Sequence, residues 1–178
     1  KLHHSYYMIK KSVKLLVGGF IVLTIIAALS HRVIIPKLIP LSDLPTPSGI
    51  YDVGTRIFEW TDGSRDEWFT EKKDDKRRIV VQVWYPSEDK NSDPVPYLVS
   101  ADKWLPALSG ILEIPQFLFN HLRNIGTHSV LDASVNKQIE DAPLVLFSHG
   151  IWGMRFQNTA QFEALASRGY IVASVDHA

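Results

Sequence analysis

The chain has 178 residues, enough to bury the core of one ordinary domain, and 46% of them are hydrophobic. Its 19 basic residues balance its 19 acidic residues, so no excess of positive charge favours nucleic-acid binding. Cysteine is absent, which excludes disulfides, thiolate metal sites and a cysteine nucleophile within these residues.

The first 35 residues have the pattern of a leader. Residues 15–29 are uncharged, and Lys10, Lys11 and Lys14 stand just before them. Lysines in this position stay on the cytoplasmic side while the apolar run enters the bilayer. The apolar run is longer than many signal-peptide cores but shorter than the ~20 residues of an untilted span. Residues 1–35 therefore predict a cleaved signal or a retained membrane anchor, with the rest of the chain exported. A buried core helix is the alternative.

The next segment leads into a pair of strands. Residues 36–49 contain four prolines, which disfavour helix and central strand and indicate a linker. Aromatic and β-branched residues predict a strand over residues 50–61, and residues 62–64 predict the turn that ends it. A charged stretch, residues 65–78, then indicates a solvated loop before a strand that stops at Pro86. Two successive strands favour an antiparallel pair.

Residues 100–139 differ from the strand segments in the spacing of their apolar residues. Their apolar residues recur at helical spacing, with three helix breakers among them, Pro106, Gly110 and Pro115. Short helices are the expected outcome. Such a helical insertion places Trp104 and Phe117 where they can line an apolar substrate pocket. The alternative is that both rings simply pack on the sheet.

The final third of the sequence predicts a strand, a helix and a second strand. Residues 144–147 form the continuous apolar run of a strand buried on both faces. Phe162, Leu165 and Ala166 make the stripe of a helix, which Gly169 ends. Residues 170–175 form a second apolar strand. This βαβ spacing requires a parallel sheet, and a parallel sheet entered through an antiparallel pair predicts an α/β fold of the α/β-hydrolase type.

The loop between the first of these strands and the helix is the candidate site. Ligands of open α/β sheets bind beyond the carboxyl ends of the strands, where Ser148-His149-Gly150 lies. In α/β-hydrolases this loop gives one backbone N–H to the oxyanion hole, which stabilises the negative charge of a tetrahedral intermediate. We expect that donor to be the amide of Ile151, with Gly150 allowing a sharp turn and a close approach to a ligand.

Four segments of the sequence carry a family resemblance: GTRIFEWTD, RRIVVQVWYP, APLVLFSHGIWGMR and LASRGYIVASVDH. Together they resemble the platelet-activating-factor acetylhydrolase family over residues 50–178, most weakly across the helical insertion. The resemblance implies a calcium-independent esterase that removes short or oxidised acyl groups from phospholipids with a Ser-His-Asp triad. It also implies that Ile151 completes the oxyanion hole. Trp152 departs from the family pattern, where a small residue is common, and is expected to narrow the acyl site.

The nucleophile is missing from the sequence. No G-x-S-x-G motif occurs, so the nucleophile, acid and base are expected after residue 178, and the chain by itself is expected to be inactive. Ser148 lacks flanking glycines and is not the predicted nucleophile. We expect His149 to order the loop by hydrogen bonding, the general-base role being the alternative. Asp176 and His177 are expected to form a local hydrogen-bonded pair at the pocket rim.

No metal or cofactor is expected, since His121 and His128 lack ligand-like spacing. The expected partners are a lipid or small-ester substrate and, through residues 1–35, a membrane; the sequence does not specify the oligomeric state. Two alternative functions stay open. One is a dienelactone-hydrolase-like enzyme with a cysteine nucleophile further along, and the other is a non-catalytic, membrane-tethered lipid-binding domain.

Overall fold

The structure is a computed structural model that describes residues 13–27, 37, 43–89, 92–151 and 153–176. The chain divides into two compact units. The first comprises Lys1–Leu41 and Leu105–His121, and the second comprises Ser42–Trp104 and Leu122–Ala178. Part of the predicted leader lies outside the described residues. Trp152 and His177 lie outside them as well.

The described part of the first unit is mostly helical. Helix α1 covers residues 13–27, within the apolar run of the leader. In the portion of the chain that the structure describes, no helix is both long and apolar enough to cross a membrane.

Six strands and two helices follow α1 along the chain. In sequence order they are β1 Asp52–Asp66, β2 Lys76–Ser87, β3 Pro94–Pro96, α2 Ala101–Leu112, two 3-10 turns at Gln116–Leu118 and Asn120–Asn124, β4 Gly126–Leu131, β5 Leu144–Ser148, α3 Thr159–Ala166 and β6 Ile171–Asp176. The six strands form one mixed sheet in the order β3-β4-β1-β2-β6-β5. Strand β2 lies antiparallel to both of its neighbours, β1 and β6. Strand β1 pairs parallel with β4, and β5 pairs parallel with β6. The four strands β1, β4, β5 and β6 therefore run in one direction.

The α/β class, the antiparallel opening pair and the βαβ unit are confirmed. Strands β5 and β6 pair in parallel from Leu144 opposite Ile171 to Ser148 opposite Val175. Helix α3 connects them and packs on the sheet through Phe162, whose ring lies 4.8 Å from that of Trp84. Ala166 and Val172 are fully buried beside them. Burial of these large apolar side chains supplies the driving force that holds the helix on the sheet.

The helix ends where the sequence predicts. Gly169 adopts φ of 99°, a left-handed conformation that favours glycine and reverses the chain after α3. Arg168 Nη1 donates to the Ala164 carbonyl at 2.7 Å, which satisfies one of the carbonyls left open by the end of the helix. The chain then enters β6 directly.

The predicted turn at residues 62–64 is wrong, because β1 continues through it to Asp66. Asp62 still pairs with Arg77, and the register shifts between Asp62 and Asp66. The Asp62 carboxylate accepts bonds from both the amide and the hydroxyl of Ser64, at 2.9 and 2.6 Å. This local turn chemistry therefore produces a bulge within the strand rather than a reversal of the chain. The reversal lies in residues 67–75.

The helical prediction for residues 100–139 is only partly right. Helix α2 runs through both Pro106 and Gly110, so neither of these predicted breakers ends it. The chain after residue 125 forms strand β4 instead of helix, and β4 pairs parallel with β1. Its polar Thr127 and Ser129 are buried, which the apolar pattern of the sequence does not reveal.

The prediction that the apolar run at 144–147 is buried on both faces is also wrong. Strand β5 is at the edge of the sheet, with Leu144 60% and Leu146 76% exposed. Only Val145 and Phe147, on the opposite face, pack against the core.

The described end of the predicted linker is bonded to the second unit. Leu44 N donates to the Gly126 carbonyl at 3.0 Å, and Gly49 N donates to Ser167 Oγ at 3.1 Å. Residues 43–49 are therefore part of the folded body rather than a free spacer.

Candidate active site

The candidate site begins where β5 ends. Ser148 is the last residue of β5, and Asp176 is the last residue of β6. Because the two strands are parallel neighbours, both ends open at the same edge of the sheet. Residues 149–158 leave this edge and lead into α3. The sequence therefore placed the loop correctly relative to the sheet.

A tight turn shapes the first part of this loop. The Gly150 carbonyl accepts a bond from Gly153 N at 2.9 Å and lies 2.9 Å from His149 Nδ1. Since a carbonyl oxygen only accepts, the contact places the proton on Nδ1 of the imidazole. The His149 ring thus lies against its own loop, in the place where a loop-ordering side chain is expected.

The crowded glycine of this turn is Gly153, which the sequence reasoning did not single out. A Cβ atom there would lie 2.6 Å from Gln157 Oε1 and 2.7 Å from the His149 Cβ. A Cβ atom on Gly150, by contrast, would meet open space. The Gly-x-x-Gly spacing was the available signal, because a reverse turn of four residues often ends in glycine.

Ile151 projects away from the body. Its side chain is 92% exposed. Within the described ranges, the Ile151 amide has no hydrogen-bond acceptor, while the amides of Gly153 and Met154 are both bonded. The backbone around Ile151 therefore offers one unused N–H at the edge of the sheet where ligands of this fold class bind.

Asp176 joins the far end of the loop to β6. Its carboxylate accepts a bond from the Arg155 amide at 2.7 Å and a second bond from Arg155 Nη1. His149 Nε2 lies 3.8 Å from the same carboxylate. The sequence predicted a local partner for Asp176 at this edge but proposed His177, which lies outside the described residues. Arg155 was missed.

Aromatic rings surround the Arg155 guanidinium. Its carbon lies 6.0 Å from the centroid of the Trp104 ring and 5.5 Å from that of Phe156. Trp104 and Tyr97 each meet Phe156 edge to face, at 5.1 and 5.4 Å. Burial raises the pKa of the Tyr97 hydroxyl, so this phenol stays protonated at neutral pH.

The proposed pocket residues Trp104 and Phe117 belong to different units of the chain. Trp104 belongs to the second unit and packs next to the loop, through Phe156 and Arg155. Phe117 belongs to the first unit and is 49% exposed. Two cavities of about 300 and 240 Å³ lie at the opposite ends of the strands, where both are lined by Tyr51 and Asp52.

The histidines of residues 100–139 have separate surroundings. His128 Nε2 lies 2.9 Å from the Leu44 carbonyl, and the His128 amide donates to Glu163 at 2.8 Å. His121 belongs to the first unit. Across the described stretches, no three acidic or histidine side chains are grouped so as to hold a metal ion.

The sequence around this site matches a known protein family. The model of the family described as platelet-activating factor acetylhydrolase, isoform II, matches residues 39–178. The chain belongs to this family. The match spans every strand of the sheet and the whole loop from His149 to Asn158, so the family assignment covers the candidate site.

Two relatives and one solved structure illustrate the similarity. The platelet-activating factor acetylhydrolase of Cavia porcellus is 31% identical over 100 residues, which cover 54% of this chain and 23% of the relative. The Bos taurus enzyme of the same name is 26% identical over 148 residues, covering 76% of this chain and 28% of the relative. A ferulic acid esterase from Streptomyces cinnamoneus superposes with a TM-score of 0.61 at 30% identity, covering 77% of this chain and 36% of the esterase.

This member of the platelet-activating factor acetylhydrolase isoform II family thus spans about a quarter of the length of the curated relatives it matches. Similarity to a solved esterase at this TM-score confirms the α/β-hydrolase-like fold.

Proposed function

We propose that this chain is part of a carboxylic-ester hydrolase that removes short or oxidised acyl groups from phospholipid-like esters. The observation that carries the proposal is the Ile151 amide in the turn after β5, which has no acceptor among the residues that the structure describes. Family membership and the likeness to an esterase structure support the same reaction class.

The chemistry follows from where negative charge forms. When a serine attacks an ester, the carbonyl oxygen becomes an oxyanion that needs donors already in place. The Ile151 N–H is such a donor, and no side chain has to move to supply it. We propose that the attacking serine, the acid and the base lie after residue 178, since a G-x-S-x-G motif is absent from these residues.

A proline at position 151 tests the donor directly. Ile151→Pro removes the N–H, and Ile151→Ala is the matched control because it keeps the N–H and changes only an exposed side chain. In the intact protein, we expect Ile151→Pro to lower kcat about 100-fold or more on a short-chain ester. Ile151→Ala should stay close to the wild type.

Labelling of the intact wild-type protein tests the wider proposal. A fluorophosphonate should block a serine irreversibly and abolish ester hydrolysis. No labelling and no turnover would reject the esterase assignment and favour a non-catalytic lipid-binding domain. Labelling with equal kcat in both Ile151 variants would reject only the role of the amide.

We also propose that residues 1–35 direct the protein to a membrane or to export. The lysines before the apolar run support this proposal. Mass spectrometry of the protein's N-terminus, together with cell fractionation, tests it. An uncleaved N-terminus on a protein found only in the soluble cytoplasmic fraction would contradict it.

A further inference from the structure

Three polar side chains, Arg155, His149 and Asp176, meet at the end of β6. Asp176 receives two bonds from Arg155, one from the amide and one from the guanidinium. His149 Nε2 lies 3.8 Å from the same carboxylate. The side chains of Arg155 and His149 are only 7% and 9% exposed. The Asp176 side chain is 23% exposed, so the cluster is mostly buried and reaches solvent through its carboxylate.

Burial decides how firmly these groups are held. A charged guanidinium removed from water is strongly destabilising unless a carboxylate pairs with it. Trp104 and Phe156 cover the Arg155 guanidinium, so solvent screens its attraction to Asp176 only weakly. The pair consequently resists displacement far better than an exposed pair such as Arg123 and Asp102.

Strand β6 holds both ends of the segment that contains Ile151, and the Arg155–Asp176 pair provides one of the two anchors. At one end, β5 is paired with β6 up to Ser148. At the other end, the Arg155 amide is bonded to Asp176, the last residue of the same β6. Between these two anchors, the Gly150 carbonyl closes a turn with Gly153 N. Strand β6 thus fixes the short segment 149–154 at both ends.

We propose that Arg155, with Asp176, is a positioning residue for ester hydrolysis. The pair holds the loop after β5 so that the Ile151 amide keeps its place while charge develops on the reacting carbonyl. This inference rests on the proposed esterase function. Arg155 and Asp176 exchange no proton with the substrate and form no bond to it; they act through the backbone of the loop.

The expected kinetic effect follows from this role. A donor displaced by about 1 Å can lose about 100-fold in rate, because oxyanion stabilisation depends on geometry. The loss should appear in kcat more than in KM, since the oxyanion exists in the transition state and not in the bound ester.

The experiment compares variants of the intact protein on p-nitrophenyl acetate. Active sites are first counted by complete titration with a fluorophosphonate, so that kcat refers to folded, competent sites only. We expect Arg155→Met and Asp176→Asn to lower kcat per titrated site about 100-fold. Arg155→Lys, which keeps the charge but not the planar guanidinium, should lose less than Arg155→Met. Arg123→Met is the matched control and should keep the wild-type kcat per site.

The outcomes are distinguishable. A wild-type protein that neither labels nor turns over would reject the proposed function itself. If the wild type is active and the Arg155 and Asp176 variants keep its kcat per titrated site, the positioning role is overturned. Fewer titratable sites with unchanged kcat per site would show a purely structural pair and would overturn it as well.

Discussion

Glu163 joins helix α3 to strand β4 through hydrogen bonds to its carboxylate. This side chain of α3 is fully buried. Its carboxylate accepts bonds from the hydroxyl of Ser129 and from the amide of His128, both in β4, the latter at 2.8 Å. Its second oxygen has no hydrogen-bond partner in the described residues. Removal from water raises the pKa of this carboxyl, and the bonds from Ser129 and His128 only partly oppose that rise.

A raised pKa makes the unfolding free energy depend on pH. The folded protein holds the proton above the unfolded value of about 4.5, so stability falls as the pH rises from there through the folded pKa. Glu163→Gln carries no charge, so it should lose less stability than the wild type between pH 5 and pH 8. Urea unfolding at both pH values measures this difference.

An exposed glutamate gives the control for this measurement. Glu140→Gln makes the same substitution at an exposed position. Its free energy of unfolding should change with pH as that of the wild type does. Equal pH dependence in wild type and Glu163→Gln would show that the buried carboxyl does not control this part of the stability curve.

Residue-scale prediction succeeded where local chemistry decides the outcome. Gly169 ends α3 because a left-handed residue is needed there, and glycine is the residue that adopts it most easily. Arg155 and Glu163 could not be assigned, because their partners Asp176, Ser129 and His128 are 21 to 35 residues away in the sequence. Hydrophobic periodicity carries no information about such polar pairs.

At the scale of elements, α3 is held by its aromatic contact with the sheet. The Phe162 ring lies 4.8 Å from Trp84 in β2 and 5.0 Å from Phe147 in β5. One side chain therefore joins the helix to two strands that are not neighbours. The sequence predicted this helix and its apolar stripe because both depend on local periodicity. Strand β4 was missed because its buried Thr127 and Ser129 are polar. Their hydroxyls donate to the Val95 carbonyl in β3 and to the Glu163 carboxylate in α3.

Truncation of this side chain should weaken the whole βαβ unit. We expect Phe162→Ala to lower the free energy of unfolding by about 3–5 kcal/mol, because it leaves a cavity between helix and sheet. Phe69→Ala is the control, since Phe69 is 79% exposed and should change stability little. Urea or thermal unfolding of both variants gives the comparison. A loss at position 162 no larger than that at position 69 would contradict the packing.

For the molecule as a whole, the sheet has an apolar edge at β5. Leu144 and Leu146 are largely exposed there, and in the described sheet β5 pairs only with β6. An exposed apolar edge strand offers both hydrogen-bonding groups and apolar surface to another chain. The alternation of β5 could not be foreseen, because its unbroken apolar sequence is typical of a central strand.

Charge on this edge should reduce self-association of the chain. Leu146→Lys places a positive charge on the exposed face, and repulsion should keep two β5 edges apart. Light scattering over a range of protein concentrations should show less association than for the wild type. Val145→Lys, on the packed face, should instead unfold the protein. If Leu146→Lys associates as strongly as the wild type, another surface mediates the contact.

Among the described strands, β6 follows the other five along the chain, yet it lies between β2 and β5 in the sheet. Until residue 176 has been synthesised, β5 lacks its partner in the described sheet, and the Asp176 carboxylate that anchors Arg155 is absent. The geometry around the Ile151 amide therefore cannot form before β6 has been made. A nascent chain halted before β6 would carry the loop after β5 in sequence but not in its folded conformation.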